Sequence, residues 1–182
     1  ESSHRMAYRD ELTGLPARRA LNEELLKVGR TYTIAMVDID HFKKVNDTHC
    51  HDVGDQVLKM VAAKIEEVGG GGRPYRFGGE EFTVFFPNKS AREAQPHLEE
   101  LRHSIEISGF TLRDVERPAE KPELSLKSRG GQRLKVTASI GVAERNDFNL
   151  TPEAVLKAAD KALYRAKEQG RNRVVRSGAR SS

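Results

Sequence analysis

Short, almost wholly apolar runs alternate along the chain with longer stretches in which apolar residues recur every three or four positions, a pattern that predicts interleaved strands and helices. Leu12-Thr13-Gly14-Leu15-Pro16 reads as a turn feeding a helix with Pro16 at its first position, and Ala20, Leu21, Leu25 and Val28 keep helical spacing up to Gly29. Thr31 to Val37 is nearly continuous apolar sequence, as expected of a central strand. The polar run 38–47 then predicts a short helix or an irregular turn. Val57, Leu58, Val61, Ala62, Ile65 and Val68 form a helical stripe that ends at four glycines, 69–72. Tyr75 to Phe77 and Phe82 to Phe86 flank Gly78-Gly79, the strongest hairpin signal in the chain.

Ser90-Ala91-Arg92-Glu93 is a capping-box sequence, and Ala91, Ala94, Leu98, Leu101 and Ile105 repeat behind it with helical spacing. Residues 110–133 read either as small strands, Phe110 to Leu112 and Leu124 to Leu126, around a Pro/Glu/Lys linker, or as an ordered excursion. Leu134 to Val142 reads as another buried strand. Thr151 caps a helix that has Pro152 at its first position, with Val155, Ala159, Leu163 and Ala166 facing inward until Gly170. Val174 and Val175 add an edge strand, so the domain runs over 1–176 with a disordered tail at 177–182. No internal repeat is visible. Tight hairpins among alternating elements favour an α+β fold, a mixed and largely antiparallel sheet with helices on its faces.

Composition narrows this picture without changing it. Hydrophobic residues make up 37% and charged residues 32% of 182, enough for one core under a heavily charged surface. Lys+Arg 31 against Asp+Glu 27 leaves +4, a mild excess that suits an anionic small ligand as well as nucleic acid. One cysteine excludes an internal disulfide framework and points to a reducing, cytoplasmic setting for this segment, even within a membrane-anchored parent. No apolar run approaches the ~18 residues of a membrane span, so no membrane contact is expected of it. The start at Glu1 without a methionine suggests a piece of a longer protein.

Two carboxylate groups carry candidate chemistry. Asp38 and Asp40 follow the buried strand two residues apart, on one face if the strand continues. Glu80 and Glu81 follow the two glycines of the hairpin. Hard oxygen ligands at converging strand ends suit Mg²⁺, which takes one or two carboxylates and completes its shell with substrate phosphates. The competing reading makes all four simple turn acids. Gly78 and Gly79 let a ligand approach the backbone closely, or else supply the positive φ that the turn requires. Asp55 sits before the 57–68 stripe, where an N-cap is the rival reading. His49-Cys50-His51 looks like a ligand cluster, but no second Cys/His group completes a tetrahedral zinc site. Gly69–Gly72 is no phosphate-binding P-loop, because no Lys-Ser/Thr follows it, and it reads instead as a floppy linker.

Taken together, RFGGEEF (76–82), MVDIDHFKKVND (36–47), HDVGD (51–55), DELTGLPARR (10–19), ASIGVAE (138–144) and ADKALYRAKEQGRN (159–172) resemble the ordered motifs of the GGDEF family, the diguanylate cyclases, in its GGEEF variant. The resemblance spans the chain apart from 110–133. It implies a cyclase fold related to polymerase palm domains, with a mostly antiparallel five-stranded sheet flanked by helices. It implies that Asp38, the carbonyl of Ile39 and Glu80 hold Mg²⁺, with Mn²⁺ as a substitute, and that Glu80 and Glu81 are the catalytic acids. Asn46 and Asp55 would read the guanine, while Phe42, Lys43, Gly78, Gly79, Lys167 and Arg171 would bind the rest of the GTP. Guanine's adjacent N–H donors suit an acceptor-only Asp.

The activity so implied joins two GTP into cyclic di-GMP and two pyrophosphates across a transient homodimer of half-sites, with the 3′ proton passing to Glu80 or to hydroxide on the metal. An upstream sensor would supply proximity. Departures from the family pattern are Cys50 in place of a usual Gly, Ala17 in place of a common Asn, and Gly69 and Gly72 where many members carry the Arg and Asp of an inhibitory product site. The alternative is a module that binds GTP or cyclic di-GMP without turnover. Nucleic-acid binding by Arg165, Lys167, Arg171, Arg173, Arg176 and Arg180 rests on charge alone and lacks stacking aromatics, so no nucleic-acid partner is expected.

Overall fold

All eight residues of strand β1, Tyr32–Ile39, are buried, and the strand lies at the centre of the sheet. The computed structural model describes residues 8–111 and 133–178. Around β1 stand β2 (Arg73–Gly78), β3 (Glu81–Pro87), β6 (Ala138–Glu144) and β7 (Val174–Arg176), in the order β2-β3-β1-β6-β7. Only the β6–β7 pairing is parallel. Because alternate residues of β1 face opposite sides, the strand feeds two cores. Ala35, Val37 and Ile39 pack with helices α3 (His51–Glu66) and α4 (Ala91–Ser108). Tyr32, Ile34 and Met36 pack with α1 (Arg18–Leu25) and α5 (Pro152–Glu168). A short helix α2 (Phe42–Thr48) links β1 to α3. No helix among the described residues is long and apolar enough to cross a membrane.

Local chemistry explains the ends of these helices. The capping box of α4 is complete: Ser90 Oγ accepts from the Glu93 N–H at 3.1 Å, and the Glu93 carboxylate accepts from the Ser90 N–H at 3.0 Å. Thr151 Oγ1 accepts from the Ala154 N–H at 3.2 Å at the start of α5. Pro16, expected to open α1, instead pairs with Arg9 across the preceding turn, and the helix starts at Arg18 behind Ala17. The strand expected over 134–142 is two pieces. Arg133–Leu134 (β5) pairs with Phe110–Thr111 (β4), and the sheet strand itself begins at Ala138. The strand expected at Leu124 to Leu126 falls outside the described residues. Ser177, placed in a disordered tail by its sequence, donates its N–H to the Val142 carbonyl at 2.7 Å in a turn.

The glycine run is a packed turn, where a floppy linker was expected. The Gly72 N–H reaches the Gly69 carbonyl at 3.2 Å, and a Cβ on Gly72 would meet Phe86, Val84 and Val68 at 2.8, 2.9 and 3.0 Å. Cys50 has φ 148, a region that favours glycine, so the departure at this position costs backbone strain. Gly141 controls how the last long helix docks. A Cβ there would overlap the Ala159 carbonyl oxygen and the Leu163 backbone, so glycine alone lets α5 lie directly on β6. Gly141→Ala should therefore destabilise the chain by about 1–3 kcal/mol, the usual range for overpacking. A drop in the urea midpoint checks this.

Candidate active site

Strand β1 carries Asp38 opposite Glu81 of β3 and Ser139 of β6. Asp38 shares the face of Ile34 and Met36, toward α5, and Lys167 in the last turn of that helix forms an ion pair with its Oδ2. The other oxygen, Oδ1, is buried and has no hydrogen-bond partner among the described residues. Glu80 lies in the turn between β2 and β3, where its backbone carbonyl accepts from the Ile39 N–H at 3.4 Å. The sheet thus brings Asp38, Ile39, Glu80, Glu81 and Lys167 together, as their sequence motifs suggest.

Electrostatics at this point are strongly one-sided. Burial, and then the charge of Asp38, push the Glu80 carboxyl above its ordinary range. Burial, Asp38 and Asp160 do the same to Glu81, against the opposing charges of Lys167 and Arg18. For Lys167, burial works against the ammonium, but the hydrogen bond to Asp38 and the charges of Asp38, Glu81 and Glu80 outweigh it and raise its proton affinity. Ionised, three carboxylates against one ammonium leave an excess of negative charge beside an unpartnered oxygen. Those are the conditions for a divalent cation. No group of three or more His, Cys, Asp or Glu side chains among the described residues could hold an ion alone, so these acids do not form a closed cage. An open set of hard oxygens suits Mg²⁺, which keeps water or phosphate in most of its positions.

The hairpin bearing Glu80 is tied down by a residue that its sequence does not single out. Arg76 donates from Nη2 to the Gly79 carbonyl at 2.7 Å and from Nη1 to Asp10 Oδ2 at 2.8 Å. Asp10 is itself held by the N–H and hydroxyl of Thr13 at 2.8 and 2.7 Å. The opening turn at 10–16 is therefore a buttress for the hairpin. Arg18 also lies over the Phe77 ring at 4.2 Å. Gly79 has φ 36, whereas Gly78 has no positive φ, and a Cβ on it would find no atom within 4 Å. Turn geometry thus accounts for glycine at 79, whereas neither backbone φ nor packing requires it at 78.

A second cluster forms between α2 and α3. Asn46 Oδ1 is buried without a partner among the described residues and lies directly over Gly54, where any Cβ would displace it. Asp55, the next residue, is half-buried and one turn inside α3; Cys50 holds the N-cap position, so Asp55 is no cap. Phe42 is buried in the core, with its ring beside Gly54. Lys43 is exposed, and Arg171 follows α5 with φ 65. Asp40 does not join Asp38. It accepts from Thr137 Oγ1, Ser139 Oγ and the Asn172 N–H, at 2.8, 2.6 and 3.0 Å. Gly54, Arg76, Asp40 and Asn172 all lie within the recognised motifs, yet their partners are set by tertiary contact.

Comparison with known proteins gives a consistent result. The family model for "Diguanylate cyclase, GGDEF domain" matches residues 7–173. The response regulator PleD of Caulobacter vibrioides is 36% identical over 187 residues, covering 98% of this chain and 38% of PleD. Diguanylate cyclase VdcA of Vibrio cholerae is 37% identical over 171 residues, covering 91% of this chain and 46% of VdcA. The chain thus spans less than half the length of either relative. The crystal structure of the coiled coil and GGDEF domain of DgcB from Caulobacter crescentus, in complex with c-di-GMP, superposes with a TM-score of 0.79 at 33% identity, covering 96% of this chain and 88% of that one.

The raised Glu80 carboxyl predicts a pH signature for the protein free of metal and nucleotide. Below the ordinary value of 4.5 the group is protonated in both the folded and the unfolded chain. As pH rises, the unfolded chain releases this proton first, so the fold loses stability until pH passes the raised folded value. Glu80→Gln removes that loss. Urea titrations should show the variant matching the parent at the acid end and becoming the more stable of the two toward neutrality.

Proposed function

The chain belongs to the GGDEF family, and on that premise we propose that it is a diguanylate cyclase of the GGEEF type. Each subunit binds one GTP, two subunits meet face to face, and each 3′-oxygen attacks the α-phosphorus of the opposite nucleotide. Two phosphodiester bonds form, two α–β phosphoanhydride bonds break, and cyclic di-GMP and two pyrophosphates leave. The observation that carries this reading is the unpartnered Asp38 Oδ1 beside Glu80 and Glu81 on a strand end.

Asp38, the Ile39 carbonyl and Glu80 would hold Mg²⁺, with Mn²⁺ able to replace it; when bound, the ion neutralises charge on the triphosphate. The protein's own part is positioning and charge balance. Lys167, Lys43 and Arg171 meet phosphate oxygens. Gly78, which nothing in the fold requires to be glycine, leaves room for a phosphate against the backbone, next to Gly79. Glu80, with its raised proton affinity, suits transient custody of the 3′ proton, with Glu81 beside it. The orphan Asn46 Oδ1 and the half-buried Asp55 offer acceptors to the guanine N–H groups. Upstream segments of the parent protein supply proximity between subunits, as the coiled coil in the DgcB structure suggests.

Incubation with GTP and Mg²⁺ should yield cyclic di-GMP, with specific activity rising with protein concentration as half-sites pair. Glu80→Gln should lower the rate at least ~100-fold. Nucleotide binding without product at high protein concentration would instead identify a non-catalytic binding module.

The inhibitory product site is absent in this reading. The two positions that would carry its Arg and Asp are Gly69 and Gly72. Gly72 is hemmed in by Phe86, Val84 and Val68, so a side chain there would have to displace packed neighbours. Calorimetric titration with cyclic di-GMP should therefore find only weak binding that Asp55→Ala removes. Tight binding that survives this substitution would reveal a separate site.

A further inference from the structure

We infer that Asp40 and Asn172 are positioning residues: together they pin the loop after α5, and with it Arg171, to the end of the strand that carries Asp38. The role of Arg171 rests on the diguanylate cyclase reading, whereas the pin stands on geometry alone.

Asp40 is buried, and its carboxylate is engaged by three donors. None of them is a cation, so the group is not there as half of an ion pair. Two donors, Thr137 and Ser139, come from the neighbouring β6 segment, and the Asp40 N–H adds a bond to the Thr137 carbonyl at 2.9 Å. The third donor is the backbone N–H of Asn172, from a loop 132 residues away in the chain. That loop takes an unfavourable path. Arg171 and Asn172 both have left-handed φ, 65 and 46, which costs energy at non-glycine positions and persists only where surrounding contacts hold it.

Asn172 is held on a second side as well. Its Oδ1 accepts from Arg102 Nη1, and its Nδ2 donates to Glu106 Oε2, both at 2.9 Å. Arg102 also bonds Glu106 at 2.7 Å, so α4 presents a prepared fork to the asparagine. The residue therefore bridges two parts of the fold, its backbone on Asp40 just past the end of β1 and its side chain on α4. Just before it, the Arg171 N–H closes onto the Ala166 carbonyl at 2.9 Å. The backbone of Arg171 is thus fixed on both sides, while its side chain makes no ion pair among the described residues. A cation held by its backbone and without an ion-pair partner among the described residues is arranged to meet an anion. Asp40 sets the distance between that cation and Asp38.

The test combines amide hydrogen exchange by NMR, in the absence of nucleotide, with binding of a non-hydrolysable GTP analogue plus Mg²⁺. Asp40→Ala should expose the Asn172 amide and weaken analogue binding about tenfold, as loss of a buried hydrogen-bonded carboxylate implies. Asp40→Asn should stay within about twofold, because one amide oxygen can accept both bonds now made to Oδ2 and the Ser139 hydroxyl can turn to accept. In an Arg171→Ala background, Asp40→Ala should weaken binding no further, the mark of two residues acting through one contact. Asn172→Gly keeps the backbone bond and tolerates the left-handed φ but loses the fork. It should weaken binding about threefold, again only when Arg171 is present, and it decides the matter if Asp40→Ala does not fold. Unchanged Asn172 protection in Asp40→Ala, losses that multiply with that of Arg171→Ala, or lower thermal stability with unchanged analogue affinity would each overturn the inference. If the parent chain does not bind the analogue, the GTP reading fails, and amide exchange alone judges the pin: lost protection supports it and retained protection ends it.

Discussion

Three carboxylates gathered at the end of a buried strand repel one another, and among the described residues Lys167 is the cation that pairs with Asp38. Much of the remaining architecture serves to deliver that ammonium. Lys167 arrives only if α5 lies flat along β6, and α5 lies flat because Gly141 has no side chain under Ala159 and Leu163. Thr151 and Pro152 start the helix at the right point, and Arg171 and Asn172 turn the chain at its far end. Even so, one ammonium does not neutralise three acids. That deficit of positive charge is what a divalent ion at this strand end would offset.

Local signals made most of the scaffold readable. The continuous apolar run at 31–37 has no reading as an amphipathic helix, and the capping box at 90–93 and Pro152 specify helix starts through contacts within one turn. Where the reading failed, a distant partner decided. Pro16 was drawn out of α1 by pairing with Arg9, and the glycine turn owes its order to Phe86, Val84 and His97, none of them a sequence neighbour. Residues 134–142 divide because Leu134 pairs with Phe110, a contact that apolar character alone does not reveal.

The site was legible to a similar depth. Asp38, Glu80, Glu81 and Lys167 converge because each sits at or beside the end of an element whose pattern was plain. Asp40 shows the limit. Spacing grouped it with Asp38, yet it lies beyond the last residue of β1 and turns to Thr137, Ser139 and Asn172. Gly54 and Arg76 were likewise present in the motifs but silent, since the first works by the room it leaves for Asn46 and the second by reaching Asp10.

The acids and their ammonium come from positions 38, 80, 81 and 167, so the centre exists only once strands far apart in the chain have paired and the last long helix has docked. Contacts of such range form late and as a unit, because loop closure must be met before any of them is gained. A partly folded chain would hold isolated carboxylates in water, with ordinary acidity and no shared ion. Fold completion and assembly of the charged centre are in this sense one event, and a chain with its final helix unseated has no half-formed centre at all.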